Sequence, residues 1–431
     1  MGTKERPRVR RGTLDRYREV IGLTGPLLPC VSFLGRLPTA TIQFGSVLLV
    51  ARTSGSLAAA GLTGGALALG QVACGPLVGR LADRHGQRAV VLVCSLANAL
   101  AVAALVMGAL AGLPTPVLAL LGAAAGATVP LVGPLARTRL VALARRAGAP
   151  EPTVGAALGF ESTLDELSFV LGPALVGLAA VLAHPAYALA GAAVLVATCG
   201  TGFALHPTAR AAGPAREDPG PARARAGRAP VPRSVHALRA ALVLQGAMFG
   251  ACQAGITALT ARLGQEDQAG LVYAAMGVMS AVAGLGMAAV PARLGLPARW
   301  RLATGAALVL SLPLLRTDGL PGLYAVVSVL GVAYAPHLIT VFGLTERTVP
   351  PSRLSEAMAI ATSALVGGQA LAVAVTGRLA ESYGPSAAFA AASTAAALAF
   401  AIAVTARPPT HPGQAASALH ARVEGERART P

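Results

Sequence analysis

Arg36, Glu161, Asp165 and Glu166 are the residues whose positions invite chemistry, because each interrupts an apolar run long enough to cross a bilayer. An ionisable side chain in hydrocarbon is costly, so it marks a route for ions or protons, or a buried pair whose partner lies nearby. Arg36 stands about 14 residues into its run and Asp165 about 12, depths of roughly 21 and 18 Å at the helical rise. Glu161 and Asp165 are four apart and share a helix face, while Glu166 points about 100° away from Asp165. Three acids stand against one base. Burial and like-charge proximity both disfavour an ionised carboxylate, so at least one of the three is a candidate to carry a proton.

The elements that must position these charges follow from composition. The 431 residues are 54% hydrophobic and only 12% charged, with a mean hydropathy of +0.63. A water-soluble core cannot absorb that much apolar surface without exposing large patches. The formal net charge of +17 would fit a nucleic-acid partner, but aromatics at 4% leave little surface for stacking bases. A polytopic membrane protein remains. Twelve runs suit spanning helices, at residues 22–51, 55–79, 89–112, 115–136, 153–183, 185–205, 237–261, 269–290, 302–315, 320–344, 354–375 and 385–406. The ninth is the shortest. Residues 1–21 precede them as a polar segment, 206–236 read as a solvated basic linker between six runs and six, and 407–431 as a disordered tail.

Sorting the 35 basic residues by connection gives thirty on one side of the membrane, Arg137 and Arg139 among them in the connection after the fourth run. Arg52, Arg262, Arg316 and Arg378 fall on the other side, and Arg36 lies inside the first run. Basic residues in short loops stay cytoplasmic, so both termini and the linker are expected in the cytoplasm of a cell whose inner membrane holds the chain. The first run reads as a retained anchor, and no myristoylation signal follows Met1-Gly2. Cys30, Cys74, Cys94, Cys199 and Cys252 all fall within the runs without a Cys-x-x-Cys, and read as small apolar residues, not as metal ligands or disulfides.

A shift of 200 positions lays Ala157-Leu158 on Ala357-Met358, Ser162-Thr163 on Thr362-Ser363, Leu171 on Leu371 and Gly177 on Gly377. Two related halves are the usual build of secondary transporters, with the substrate site between them near the midplane. The connection after the second run reads Gly79-Arg80-Leu81-Ala82-Asp83-Arg84-His85-Gly86-Gln87-Arg88. It resembles the G-x-x-x-D-R-x-G-R-R signature of the major facilitator superfamily, with Gln87 in place of the first Arg of the final pair. Read by itself, the loop sets Asp83 among Arg80, Arg84 and Arg88, with Gly79 and Gly86 allowing a tight turn: a charged latch that could hold one access state, or a set of membrane anchors. In the fifth run, Gly159, Ser168, Gly172, Pro173 and Gly177 are similar to the family's antiporter motif, departing from it at Ser168 and Val176. The family's drug exporters often place an Arg in the fourth helix; Gly122 stands at the corresponding position.

The resemblance covers residues 20 to 406 and implies an all-α integral membrane fold of twelve transmembrane helices in two six-helix pseudo-symmetric bundles, residues 22–205 and 237–406. It also implies that the first and fifth helices are neighbours, which makes Arg36 with Asp165 or Glu166 a buried pair. The expectation is that Arg36 and Asp165 pair while Glu161 or Glu166 cycles a proton. The alternative is a structural salt bridge with Glu161 hydrated near the surface. Gln43, Gln71, Gln245 and His337 are cavity candidates, each also suited to a helix-to-helix hydrogen bond. No nucleotide loop, nucleophile elbow or metal-ligand cluster is present. The expected function is a monomeric secondary transporter that uses no cofactor and exports small organic molecules against protons by alternating access. An uptake permease, a non-transporting membrane sensor and an integral-membrane enzyme are the alternatives.

Overall fold

The computed structural model describes residues 13–210, 233–265, 268–291 and 293–406, and among these there is no strand. In chain order the helices are α1 (Thr13–Thr24), α2 (Leu27–Ser54), α3 (Leu57–His85), α4 (Gln87–Leu110), α5 (Thr115–Ala127), α6 (Val132–Arg146), α7 (Glu151–Leu182), α8 (Pro185–Leu195) and α9 (Thr201–Leu205). The second half holds α10 (Arg233–Arg262), α11 (Gln268–Gly286), α12 (Leu296–Ser311), α13 (Leu320–Thr348), α14 (Leu354–Tyr383) and α15 (Pro385–Thr405). Eleven segments have the length and apolarity to cross a membrane. The twelfth is α12, the short ninth run, whose last turn tightens into a 3-10 turn at Leu312–Arg316. Pro313 stands in that turn, where its missing amide hydrogen stops the helical ladder. Large apolar side chains such as Leu69, Leu100, Leu120 and Leu182 are 70–74% exposed, which only a lipid environment makes favourable.

Local signals set the turns. Ser56 accepts the Ala59 amide to start α3. Gly86 and Gly384, at φ of 84° and 85°, end α3 and α14 in a conformation that a side chain would resist. Pro185 and Pro385 open α8 and α15, so the offset of 200 continues into the sixth and twelfth spans.

Beyond shifts of a few residues at helix ends, three of the expected runs are built differently. The first run is preceded by a separate helix, α1, with a turn at Gly25-Pro26 before α2. The fourth run does not end at Ala136: it breaks at residues 128–131, where Leu131 takes φ of 50°, and resumes as α6 through Arg146. Arg137 and Arg139 therefore belong inside the span, not in the connection after it. The sixth run contains a π turn, Val196–Gly200, between α8 and α9. Of the basic linker, residues 211–232 lie outside the described residues, as do residues 1–12 and 407–431.

Apolar packing shows how the halves meet. Ile42, Leu49, Leu105 and Leu189 form one cluster toward the face opposite the chain's basic side, wholly within the first half. Ile256, Met276, Leu330 and Phe389 form its counterpart, wholly within the second. Toward the basic side the clusters are shared, the largest of them packing Val141, Val154 and Leu158 with Leu242, Trp300, Phe342, Leu354 and Met358, while Ala359 and Ala288 join two smaller ones of the first half. The two halves are thus fused at the basic face and separate at the other. Along the seam α3 packs on α14 and α7 on α11. Repeat-related residues make these contacts, Thr163 against Gly284 and Ser363 against Gly75.

Candidate functional site

The break in the fourth span creates the site. Asp165 of α7 lies against the first turn of α6, so close to Gly133 that an added Cβ would fall 2.7 Å from its Oδ1. The amino end of a half-helix carries partial positive charge, a fit partner for a carboxylate at membrane depth. One turn on, Arg137 donates from Nη2 to Asp165 Oδ2. From α2, Arg36 donates through Nη1 to Asp165 Oδ1 at 2.8 Å and to the Glu161 carbonyl at 3.0 Å. Its Nη2 donates to Ser32 Oγ and Glu161 Oε2, and its Nε to the Ser32 carbonyl at 3.2 Å. Arg36 and Glu161 are each 4% exposed and Arg137 is 1% exposed. Two arginines and two acids therefore form a closed, neutral tetrad.

Glu166 is left over. It is 9% exposed and has no ion-pair partner among the described residues. It faces the second half, toward Ser280 and Tyr273 of α11. With Arg137 and Asp165 it lines a cavity of about 60 Å³ at the seam, walled also by Phe169, Gln245, Phe249, Tyr334, Phe342 and Thr362. Ligand pockets are typically several hundred Å³, so the halves must part before an organic molecule enters. Gln245 donates to the Tyr334 carbonyl at 2.9 Å, which leaves its Oε1 without a partner.

At the basic face Asp83 accepts the backbone amides of Ser355 at 3.1 Å and Glu356 at 2.8 Å. It caps α14 from across the seam, so its partner is a helix terminus. Arg80, Arg84 and Arg88 are exposed and make no ion pair among the described residues. Gly79 allows this approach: a Cβ there would come within 2.6 Å of the Ala359 Cβ and 2.7 Å of the Ser355 carbonyl oxygen. Gln87, where the signature has Arg, is buried; it donates to Thr138 Oγ1 at 2.7 Å and accepts from Arg139 Nε at 3.0 Å. Arg139 in turn lies over the Phe203 ring, 3.7 Å from its centroid. A second tie joins the halves where Arg145 pairs with Glu151 and, at 3.2 Å, with Glu346, while Arg347 pairs with Glu151 at 2.7 Å. A third is α1, whose Tyr17 hydroxyl donates to the Leu285 carbonyl at 2.7 Å while its ring packs on Phe160.

The structure brings Arg36, Glu161 and Asp165 together and separates Glu166 from them. Glu161 is enclosed in the pairing, where the alternative had it hydrated. Gln43 donates to Gln71 at 2.8 Å, a bond between α2 and α3. His337 is 3% exposed, with Nε2 unpartnered, and lies outside the cavity wall, to which α13 contributes Tyr334, Leu338 and Phe342 instead. Gly172 packs against Ala40 and Thr41 of α2, Gly159 faces the Gly284 carbonyl, Pro173 sits within a continuous α7, and Gly177 meets nothing. Gly86 holds its φ of 84° between α3 and α4, as the latch motif requires of a tight turn. The five cysteines are free thiols, and no group of metal-ligating residues occurs among the described residues. Sequence reasoning missed Arg137 and Arg139. The Gly- and Pro-rich stretch of residues 126–134 was the available signal, because an interrupted helix at midplane depth marks a binding region.

The family model described as Major Facilitator Superfamily matches residues 28–351. No curated protein is similar enough in sequence to count as a relative. Among solved structures, the human organic anion transporter MFSD10 (TETRAN) aligns over 91% of this chain and 100% of its own, at 19% identity and a TM-score of 0.63. A bacterial homologue of the iron transporter ferroportin, in an outward-facing state, gives 88% and 98% coverage, 16% identity and a TM-score of 0.71. FucP in the outward conformation, the protein that a companion structure describes as the E. coli fucose:proton symporter, gives 89% and 98%, 15% identity and 0.62.

Proposed function

Since the chain belongs to the major facilitator superfamily, and is therefore a membrane transporter and not an enzyme, we propose that it exports small organic molecules in exchange for protons by alternating access. Its basic face would be cytoplasmic, by the charge asymmetry of its connections. The observation that carries the reading is Glu166: a buried carboxylate with no ion-pair partner among the described residues, on a cavity at the seam, beside the Arg36–Glu161–Asp165–Arg137 tetrad. A carboxylate so placed is stable when protonated and reactive toward a charged ligand when not. Proton and substrate then compete for one group, which is the minimal requirement for exchange.

Access changes at the basic face. The Asp83 cap, the Arg145–Glu151–Glu346–Arg347 network and the shared apolar cluster hold that side shut. A conformation that opens it must break these and the Tyr17–Leu285 bond, and the ligand supplies the bias by its differential affinity for the two states. That a fucose:proton symporter has this fold at low identity supports proton use as chemistry the architecture accommodates.

The test is a substrate panel in proteoliposomes under an imposed pH gradient, with internal pH recorded. At least one compound should move protons in the wild type, in the direction opposite to its own flux, and fail to do so in Glu166→Gln. Flux in the same direction as the proton would make the protein an uptake permease. Unchanged proton dependence in both Glu161→Gln and Glu166→Gln would overturn the coupling role.

A further inference from the structure

We propose that the transported substrate is an organic cation bearing an apolar body, bound by Glu166 and the rings of Phe249 and Tyr334. This rests on the transporter reading above and narrows it to a substrate class. Charge comes first. Around the cavity the cations are Arg36 and Arg137, and both are held by Glu161 and Asp165. The titratable groups facing Glu166 are Asp165 on its own helix, Arg137 on α6, Tyr273 on α11 and Tyr334 on α13. Among the described residues none is ion-paired with Glu166, and the third buried arginine, Arg139, is turned to Gln87 and Phe203 instead of the cavity.

The wall supplies what a cation binds. Phe249 stands edge-to-face with Tyr273 and Tyr334, at centroid separations of 5.1 and 5.2 Å, and Phe169 and Phe342 complete the lining. Aromatic faces attract ammonium groups through their quadrupole, most strongly where water is excluded. One such face is already used this way: Arg137 lies over Phe342, 4.0 Å from its centroid. Among the described residues the unpartnered polar atoms lining the cavity are Gln245 Oε1 and Thr362 Oγ1, both able to accept a hydrogen bond, and one donor, Arg137 Nε, whose guanidinium is paired with Asp165. The Gln245 amide nitrogen is already spent on the Tyr334 carbonyl. With the Arg137 guanidinium paired to Asp165 and stacked on Phe342, the remaining rings, the two acceptors and Glu166 favour protonated amines over carboxylates.

The experiment measures binding to the full-length protein in lipid nanodiscs by calorimetry, with three probes of one carbon skeleton: phenethylammonium, phenethyl alcohol and phenylacetate. Dibenzyldimethylammonium serves as a bulkier permanent cation. The cations should bind about tenfold or more tightly than the alcohol, and phenylacetate more weakly still. Binding should release protons into a weakly buffered medium. Glu166→Gln should erase both the preference and the release, and Phe249→Leu should weaken the cations about threefold to tenfold with release retained. Thermal unfolding confirms that each variant is folded, and Glu166→Asp should restore part of the preference. Phenylacetate binding as tightly as the cations, a cation preference that survives Glu166→Gln, or no cation binding to the wild type would each overturn the assignment. A neutral or anionic compound that drives proton movement in the proteoliposome panel would sink this inference and leave the transporter reading intact. Cation binding without coupled proton movement would do the reverse.

Discussion

Arg137 holds Asp165 with one nitrogen while its guanidinium plane covers the ring of Phe342, so one side chain joins the buried charges of the first half to the aromatic wall of the second. Arg137→Gln removes both contacts. Breaking a buried pair costs about 3–5 kcal/mol when the partner is stranded, and Arg36, which still reaches Asp165, holds the loss near the lower figure. The double variant Arg137→Gln/Asp165→Asn should be more stable than the single one, as read by thermal unfolding in detergent. Equal melting of the two would show that charge pairing is not what Arg137 contributes.

Asp83→Ala deletes the cap on α14. Loss of a capping carboxylate costs about 0.5–2 kcal/mol, which shifts a two-state equilibrium up to about thirtyfold toward the form open at the basic face. Spin labels at positions 84 and 353, in a background without the five native cysteines, should report longer distances in the variant. Unaltered distance distributions would remove Asp83 from gating.

Tyr17→Phe tests the tie made by α1. Its hydroxyl contributes about 1 kcal/mol to the closed form, roughly a fivefold shift in the same distance measurement. Burial pushes the Tyr17 phenol up from 10.0 to about 12. A group whose value rises in the closed form keeps its contribution below its ordinary value and loses it as pH rises through the raised one. The wild-type distances should hold steady to about pH 10 and lengthen from there toward pH 12, with no such change in Tyr17→Phe.

Two glycines of one motif should behave oppositely. A Cβ at Gly172 would fall 2.7 Å from the Ala40 Cβ and 2.8 Å from the Thr41 backbone nitrogen, whereas one at Gly177 meets nothing within 4 Å. Gly172→Ala should lose about 1–3 kcal/mol by overpacking. Gly177→Ala should be neutral or gain up to about 1 kcal/mol from helix propensity. Thermal unfolding of the pair decides it, and equal losses would show that the motif acts through backbone flexibility.

The sequence made the spans legible because lipid imposes a simple rule, an uninterrupted apolar length. That rule also located Arg36 and Asp165 at one depth, and they meet at 2.8 Å. The same rule hid Arg137 and Arg139, since a charge ends an apolar run unless its counter-charge on another helix is already known. Glu161 was open to two readings for a related reason: its exposure depends on Arg36, which is 125 positions away in the chain. The latch motif was readable as a motif but not in its partner, because a helix terminus offers backbone amides that no side-chain pattern announces. Gln43 and Gln71 were open to a cavity role or a helix-to-helix hydrogen bond, and they bond to each other, a choice made by helix rotation and not by residue type.

The apolar cluster shared by the two halves at the basic face gives the cycle a preferred direction of rest. Opening that side exposes Phe342, Leu354 and Met358 to water, while parting the other side separates clusters that were never joined. An unloaded carrier with this asymmetry waits facing away from its basic side. Under the exchange proposed above, the proton from outside is the first ligand to arrive, and the uphill stroke is the return to collect cargo.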